Sequence, residues 1–219
     1  MNESLLRVEM HSHTYFSQDG FITIKTFAKQ CRKKQLGCVC ITDHNTVRGA
    51  VEFSKQLYVK IVIGEEIETG QGDLIGLFIK EEIPPRLGVD VTVTRIKEQK
   101  GIVYLPHPFD EFRKSSVKLE YAEKAKDDID IIEVFNSRTF NSKYNSMALE
   151  FARKHNIAIA VGSDAHHPFE LGRSYVQMEN FDGPVEFLEN LRKATYVAKK
   201  CPFILRLYIK GLKILTGKV

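Results

Sequence analysis

Short apolar runs alternate with amphipathic helical patterns along most of this chain, and nearly every run ends on a histidine or a carboxylate. Leu6, Val8 and Met10 alternate with Arg7 and Glu9, the period of a strand. Ile24, Phe27, Ala28 and Cys31 then fall at helical spacing, with Gly37 as the expected C-cap. A second strand is expected over 38–42, and Val47, Ala50 and Val51 open another helix. Strands follow over 59–63 and 74–79, then a helix from Thr92 towards Gly101, then strands over 102–105 and 129–135. Tyr144, Met147, Ala148, Phe151 and Ala152 mark a helix, followed by strands over 157–161 and, short, 174–178. This alternation predicts a mostly parallel sheet with helices outside it. The polar residues that follow the strands must converge. In a barrel the C-terminal ends of all strands ring one site, whereas an open sheet brings together only those near its switch point. A closed or nearly closed barrel is therefore expected.

Five segments carry the candidate chemistry. His11-Ser12-His13, with Asp19 downstream, follows the first strand, and Asp43-His44 follows the second. Glu65-Glu66, His107-Pro108 and Asp164-Ala165-His166 follow the third, fifth and seventh. In His-x-His on extended backbone both imidazoles point the same way, so two nitrogens reach one ion. A carboxylate can bridge two ions, which suits a multinuclear centre. Five of the seven histidines lie in these segments, a concentration that random placement in loops does not produce. His155 reads as a helix-end residue facing the carbonyl-rich terminus, and His167 as a loop residue.

The bulk properties narrow the rest. A chain of 219 residues with no low-complexity tract suits one domain, and a net charge of +4 suits an anionic substrate without demanding one. Cys31, Cys38, Cys40 and Cys201 show no disulfide or zinc-knuckle spacing, so they read as buried small hydrophobes in a reducing compartment. The N-terminus lacks a basic flank before a long apolar run, and no stretch approaches the ~20 apolar residues of a spanning helix. A cytoplasmic location without a transmembrane segment is expected.

The pieces HSH with the Asp of SQDG, then TDH, GEEIE, PHPFD, IEVFNSR and GSDAHHPFELG, in this order from about Met10 to Tyr175, resemble the PHP (polymerase and histidinol phosphatase) family. The resemblance implies a distorted (β/α)7 barrel, two or three divalent ions (zinc, manganese or iron) and hydrolysis of phosphate esters by a metal-bridged hydroxide. It assigns His11, His13, Glu66 and Asp164 to a first ion. Glu66 and His107 would hold a second, and Asp19, His44 and His166 a third. Two departures stand out. Asn136 occupies the region where many members place another histidine for the second ion, and the short span from His107 to Glu133 leaves little room for the inserted domain of some relatives.

The expected enzyme is a metal-dependent phosphoesterase acting on a phosphorylated small molecule or a nucleotide. His166 and Asp43 are candidates for assisting the leaving group or orienting ligands. Arg138 and Arg173, with Arg113, are candidate phosphate binders. The competing readings are a non-catalytic or nucleic-acid-processing PHP module and a barrel hydrolase of the amidohydrolase type. The latter uses a modified lysine where this chain offers Glu66. Residues 1–200 form the expected barrel, and 201–219 a basic amphipathic helix. Arg206, Lys210 and Lys213 make a stripe on that helix, which suggests either membrane or nucleic-acid contact or, as the favoured expectation, packing on the barrel with the basic residues facing water.

Overall fold

The computed structural model describes residues 5–218. The apolar runs become the strands β1 (Leu6–Ser12), β2 (Cys38–Ile41), β3 (Lys60–Thr69), β4 (Gly72–Leu77), β5 (Ile102–Leu105), β6 (Ile131–Asn136), β7 (Ala158–Gly162) and β8 (Tyr175–Met178). A short β9 (Thr195–Val197) joins them. The helices are α1 (Ile24–Lys34), α2 (Arg48–Gln56), α3 (Val89–Glu98), α4 (Leu119–Ala125), α5 (Ser142–His155), α6 (Gly183–Leu191) and α7 (Phe203–Thr216). All strands share one sheet in the order β7-β6-β5-β4-β3-β2-β1-β8-β9. It curls until β1 meets the end of β7, where Ser12 bridges to Ala165. The protein is thus an α/β barrel of the distorted kind, nearly closed.

The sheet is more mixed than the alternation predicts. β1–β2–β3 and β5–β6–β7 pair in parallel, but β4 runs antiparallel to both its neighbours. The physical cause is local. Only Gly70 and Gln71 separate β3 from β4, and a connection that short can turn a hairpin but cannot carry a crossover helix. Gly72 sits at φ +119°, with the Val117 nitrogen 2.5 Å from where its Cβ would be, so the turn requires glycine. The C-cap of α1 is Gln35, left-handed at φ 55°, two residues before the expected Gly37. A Cβ on Gly37 would lie 2.5 Å from Leu6 Cδ2, so that glycine serves the close approach of α1 to β1.

The main core fills the space between the strands and α3, α4, α5 and α6, and includes Val8, Met10, Ile75, Tyr104, Ile132 and Phe187. A second cluster, with Phe27, Ile41, Ala50 and Phe53, packs α1 and α2 against β2. All four cysteines are free and buried, as their spacing implies. His155 closes α5 with its ring against Phe151 and its Nε2 3.3 Å from Glu123. No helix among the described residues is long and apolar enough to cross a membrane.

The C-terminal helix overturns one expectation. α7 lies on the barrel with two residues of its basic stripe, Arg206 and Lys213, turned inward and the third, Lys210, exposed. Lys213 pairs with Asp19, and Arg206 borders the cavity at the barrel mouth. Ile209 is its one buried apolar side chain, whereas Phe203, Ile204 and Leu215 are 65%, 81% and 84% exposed. Acidic residues at the mouth attract the cationic face more specifically than the barrel wall attracts the apolar one.

Tight packing at one point of α2 is testable. A Cβ on Gly49 would lie 2.0 Å from Asp43 Oδ2 and 2.6 Å from Thr14 Oγ1, two groups already hydrogen-bonded to each other. Gly49→Ala is expected to lower unfolding free energy in urea by about 1–3 kcal/mol, despite alanine's better helix propensity. An unchanged or raised midpoint would contradict this packing.

Candidate metal centre

Backbone hydrogen bonds at the barrel mouth place the functional side chains. Asp164 N donates to His11 O at 3.0 Å and His13 N to Ala165 O at 2.8 Å, stitching β1 to the turn after β7. Thr42 N donates to Ser12 O at 2.9 Å, and Glu66 N to Asp43 O at 3.1 Å. Side-chain alternation does the rest. His11 and His13 both enter the mouth. Glu66 turns towards them, while Glu65 turns away and accepts from Ile83 N at 3.0 Å.

All eight residues expected to ligate metal converge. Glu66 Oε2 lies 3.3 Å from His11 Nε2, 3.2 Å from His13 Nε2 and 3.2 Å from His44 Nδ1. Glu66 Oε1 lies 2.8 Å from His107 Nε2. Asp164 Oδ1 is 3.4 Å from His13 Nε2 and 3.8 Å from His11 Nε2. Asp19 reaches His166 Nε2 at 3.1 Å and His44 Nε2 at 3.7 Å. The rings of His44 and His166 each lie against His13, at 4.3 and 4.1 Å, and 5.6 Å from each other.

A second layer aims these ligands. Glu133 accepts from His107 N at 2.7 Å and from the Tyr104 hydroxyl at 3.1 Å, and its Oε1 lies 3.2 Å from His11 Nδ1. His13 Nδ1 lies 3.3 Å from Ser17 Oγ, which itself donates to Asp43 Oδ1 at 2.7 Å. These partners put the ring protons on Nδ1 and leave both Nε2 lone pairs free. Two neutral imidazoles so placed would set their lone pairs 3.2 Å apart, so a cation, a metal ion or in its absence a proton, must lie between them. The donor set therefore fits a divalent ion.

The electrostatics agree. Burial disfavours charge on His13, yet hydrogen bonds to Asp164 and Glu66 raise its pKa to about 9. Burial likewise opposes ionisation of Asp164, but His11, Arg113, His13 and Arg138 hold its carboxyl well below the usual range. His166 goes the other way, pushed down to about 3 by burial and by the neighbouring positive charges of His13 and Arg138.

Other residues depart from expectation. Asp43 is fully buried, accepting from Thr14 N at 2.6 Å, Thr14 Oγ1 and Ser17 Oγ, so it braces the loop after β1 and does not face the cavity. Arg173 donates to the Lys200 carbonyl at 3.0 Å, away from the mouth. Arg138 and Arg113 do border the cavity, with Arg113 Nη1 3.1 Å from Asp164 Oδ2. Asn136 turns its Nδ2 to Glu133 and Asp164, at 2.9 and 3.2 Å, and its Oδ1 accepts from Arg138 N, so no oxygen of its side chain faces the cluster.

Two acids went unread in the sequence. Glu133 lies inside a strand, where its carboxylate reads as one polar residue in an apolar run. Asp73, on β4, groups with His44 and Glu66, and burial with the nearby Glu66 charge raises its pKa to about 8. A buried acid opening the run GDLIGL directly after the hairpin glycine is the signal that marks it. The mouth cavity measures about 230 Å³ and holds Glu66, Asp73, Asp164, Arg113, Arg138 and Arg206. A larger space of about 630 Å³ lies on the flank between α3 and α4, with no histidine in its lining.

The comparisons with known proteins fit this geometry. Residues 142–196 match the PHP-associated family. An uncharacterized protein of Methanocaldococcus jannaschii is 36% identical over 201 residues, spanning 87% of this chain and 81% of its own. A Caldicellulosiruptor saccharolyticus protein named probable phosphatase is 26% identical over 223 residues, 84% of this chain and 92% of its own. The chain belongs to the PHP family of phosphoesterases. Among solved structures, a two-domain Bacteroides vulgatus protein containing a predicted PHP-like metal-dependent phosphoesterase superposes with a TM-score of 0.71 at 15% identity. That match covers 90% of this chain and 65% of the other. PsfC of Pseudomonas syringae gives 0.69 at 14% identity, covering 96% and 100%. At these identities the likeness concerns the PHP barrel alone.

The buried ionisable groups set a pH dependence for the metal-stripped protein. His13, with its pKa raised from 6.5 to about 9, keeps in the fold a proton that the unfolded chain has released. Its stabilising contribution is complete below about pH 6.5 and lost as pH rises through about 9. Asp73, raised from 3.8 to about 8, loses its proton within the same window. The thermal midpoint in chelator should therefore fall between pH 6.5 and 9. A flat or rising profile would contradict the charge arrangement.

Proposed function

We propose that this protein hydrolyses phosphate esters, phosphomonoesters or nucleotides, at a two- or three-metal centre in the barrel mouth. One observation carries the reading: a cluster of imidazoles and carboxylates shares its cavity with the guanidinium groups of Arg113 and Arg138. That pairing suits a bound phosphoryl group facing metal on one side and fixed positive charge on the other.

In this reading His11, His13, Glu66 and Asp164 hold the first ion, Glu66 and His107 the second, and Asp19, His44 and His166 the third. Asp73 offers a further acidic donor beside Glu66, in a centre where Asn136 offers none. Mixed imidazole and carboxylate donors suit zinc, manganese or iron. When bound, such ions supply a hydroxide nucleophile at neutral pH and draw charge off the phosphoryl oxygens. Arg113 and Arg138 orient the phosphoryl group. Glu133 holds His11 in its ligating tautomer, and Asp43 acts as a positioning residue through Ser17, whose hydroxyl meets both His13 Nδ1 and His44 N.

Hydrolysis of an aryl phosphate with added manganese tests the reading. Exhaustive chelation should abolish it, and His13→Ala or Asp164→Ala should each remove nearly all turnover. Activity that survives chelation, or full activity in either variant, would refute it. Glu133→Gln tests the second layer separately. It should weaken metal binding by about 10–100-fold, measured by titration with a competing chelator. Unchanged affinity would mean that Glu133 does not tune His11.

A further inference from the structure

We infer that the basic face of α7 is a second anion subsite, formed by Arg206 and Lys210 with Arg138 opposite, which selects phosphate esters carrying another phosphoryl group. The inference rests on the phosphoesterase reading above.

A cleft of about 360 Å³ runs between α7 and the barrel, bordered by Arg138, Phe140, Phe203, Arg206, Lys210 and Lys213. Arg138 and Arg206 also border the 230 Å³ cavity that holds Glu66 and Asp164. The cleft is therefore a side extension of the metal centre, separated from it by two shared arginines.

The cations in this cleft differ in how they are satisfied. Lys213 is paired with Asp19. Arg206 and Lys210 form no side-chain hydrogen bond or ion pair among the described residues, and Arg206 is only partly exposed. Arg206, partly buried without a partner among the described residues, gives up hydration, and Lys210, exposed one turn further along α7, adds positive potential to the same cleft, so an anion held there gains from both. Metal at the mouth would intensify the demand, since it neutralises the carboxylates that face α7. Apolar burial gives no reason for this orientation, because it leaves Phe203, Ile204, Leu207, Tyr208, Ile214 and Leu215 exposed, and the Lys213–Asp19 pair accounts for only one of the cations.

The chemistry of the cleft defines its ligand. Guanidinium and ammonium groups together suit a phosphoryl group. Phe140, Phe203 and Leu207 offer apolar surface to the spacer that joins it to the scissile ester. The second phosphoryl group has two sources, another monoester on the same small molecule or the next linkage of a short oligonucleotide.

The test compares propyl phosphate, propane-1,3-diol bisphosphate and 5′-phosphorylated dithymidylate as substrates of the manganese-loaded protein. One or both of the two-phosphoryl compounds should be preferred by about tenfold, through a lower KM, and the winning arm identifies the source. The R206A/K210A double variant should lose that preference, and R206K/K210R should keep it. Calorimetry of propane-1,3-bisphosphonate with metal-stripped protein reads the subsite without turnover, and there too the double alanine variant should bind about tenfold more weakly. Absence of any preference, or equal losses on all three substrates, overturns the subsite while leaving the phosphoesterase reading intact. Failure to hydrolyse any ester would sink the phosphoesterase reading, and the calorimetric arm would still decide the subsite.

Discussion

The carboxylate of Glu66 is the point on which this structure turns. It is buried, and four imidazoles approach it: His11, His13 and His44 at one oxygen, His107 at the other. A charged group taken out of water needs partners on every side. Glu66, on β3, meets that need with side chains drawn from the ends of three other strands, β1, β2 and β5, so the barrel must curl for the group to be tolerated. Its burial works against ionisation, yet the surrounding histidines hold its pKa well below the usual carboxylate range.

Around that centre lies a layer that fixes protons and ring orientations. Glu133 joins His11, His107, Tyr104 and Asn136, and Ser17 joins His13 to Asp43. Glu9, further out, accepts from the backbone of His11, Ser163 and Gly172, tying β1 to the segment after β7. Burial raises its pKa to about 7. The acids of the mouth thus have separate duties. Some face the cluster, some orient imidazoles and some hold backbone, and only the first kind is recognisable from a motif.

α7 follows from the same charge distribution. Asp19, beside His44 and His166, draws Lys213, and Lys218 reaches the Gly20 carbonyl at 2.6 Å in the adjoining loop. These polar contacts anchor the helix with its cations towards the mouth. An amphipathic pattern alone predicts the reverse, because it weighs only apolar burial against water and not the field of a particular neighbouring site.

Most of the barrel and most of the cluster were legible in the residue pattern, because strand alternation and His-x-His spacing act over a few residues. The same alternation separates Glu66 from Glu65. Three things were decided only by the tertiary structure. The direction of β4 depends on a two-residue hairpin that periodicity alone does not reveal. The duties of Asp43, Asp73, Glu133 and Arg173 depend on which distant atoms they meet: Asp43 meets Thr14 and Ser17, Arg173 meets Lys200, and Glu133 meets His11 from 122 positions away. The orientation of α7 depends on an acidic site assembled from strands far from it in the chain. Local periodicity encodes which face of an element is apolar. What that face finally meets is set by long-range closure.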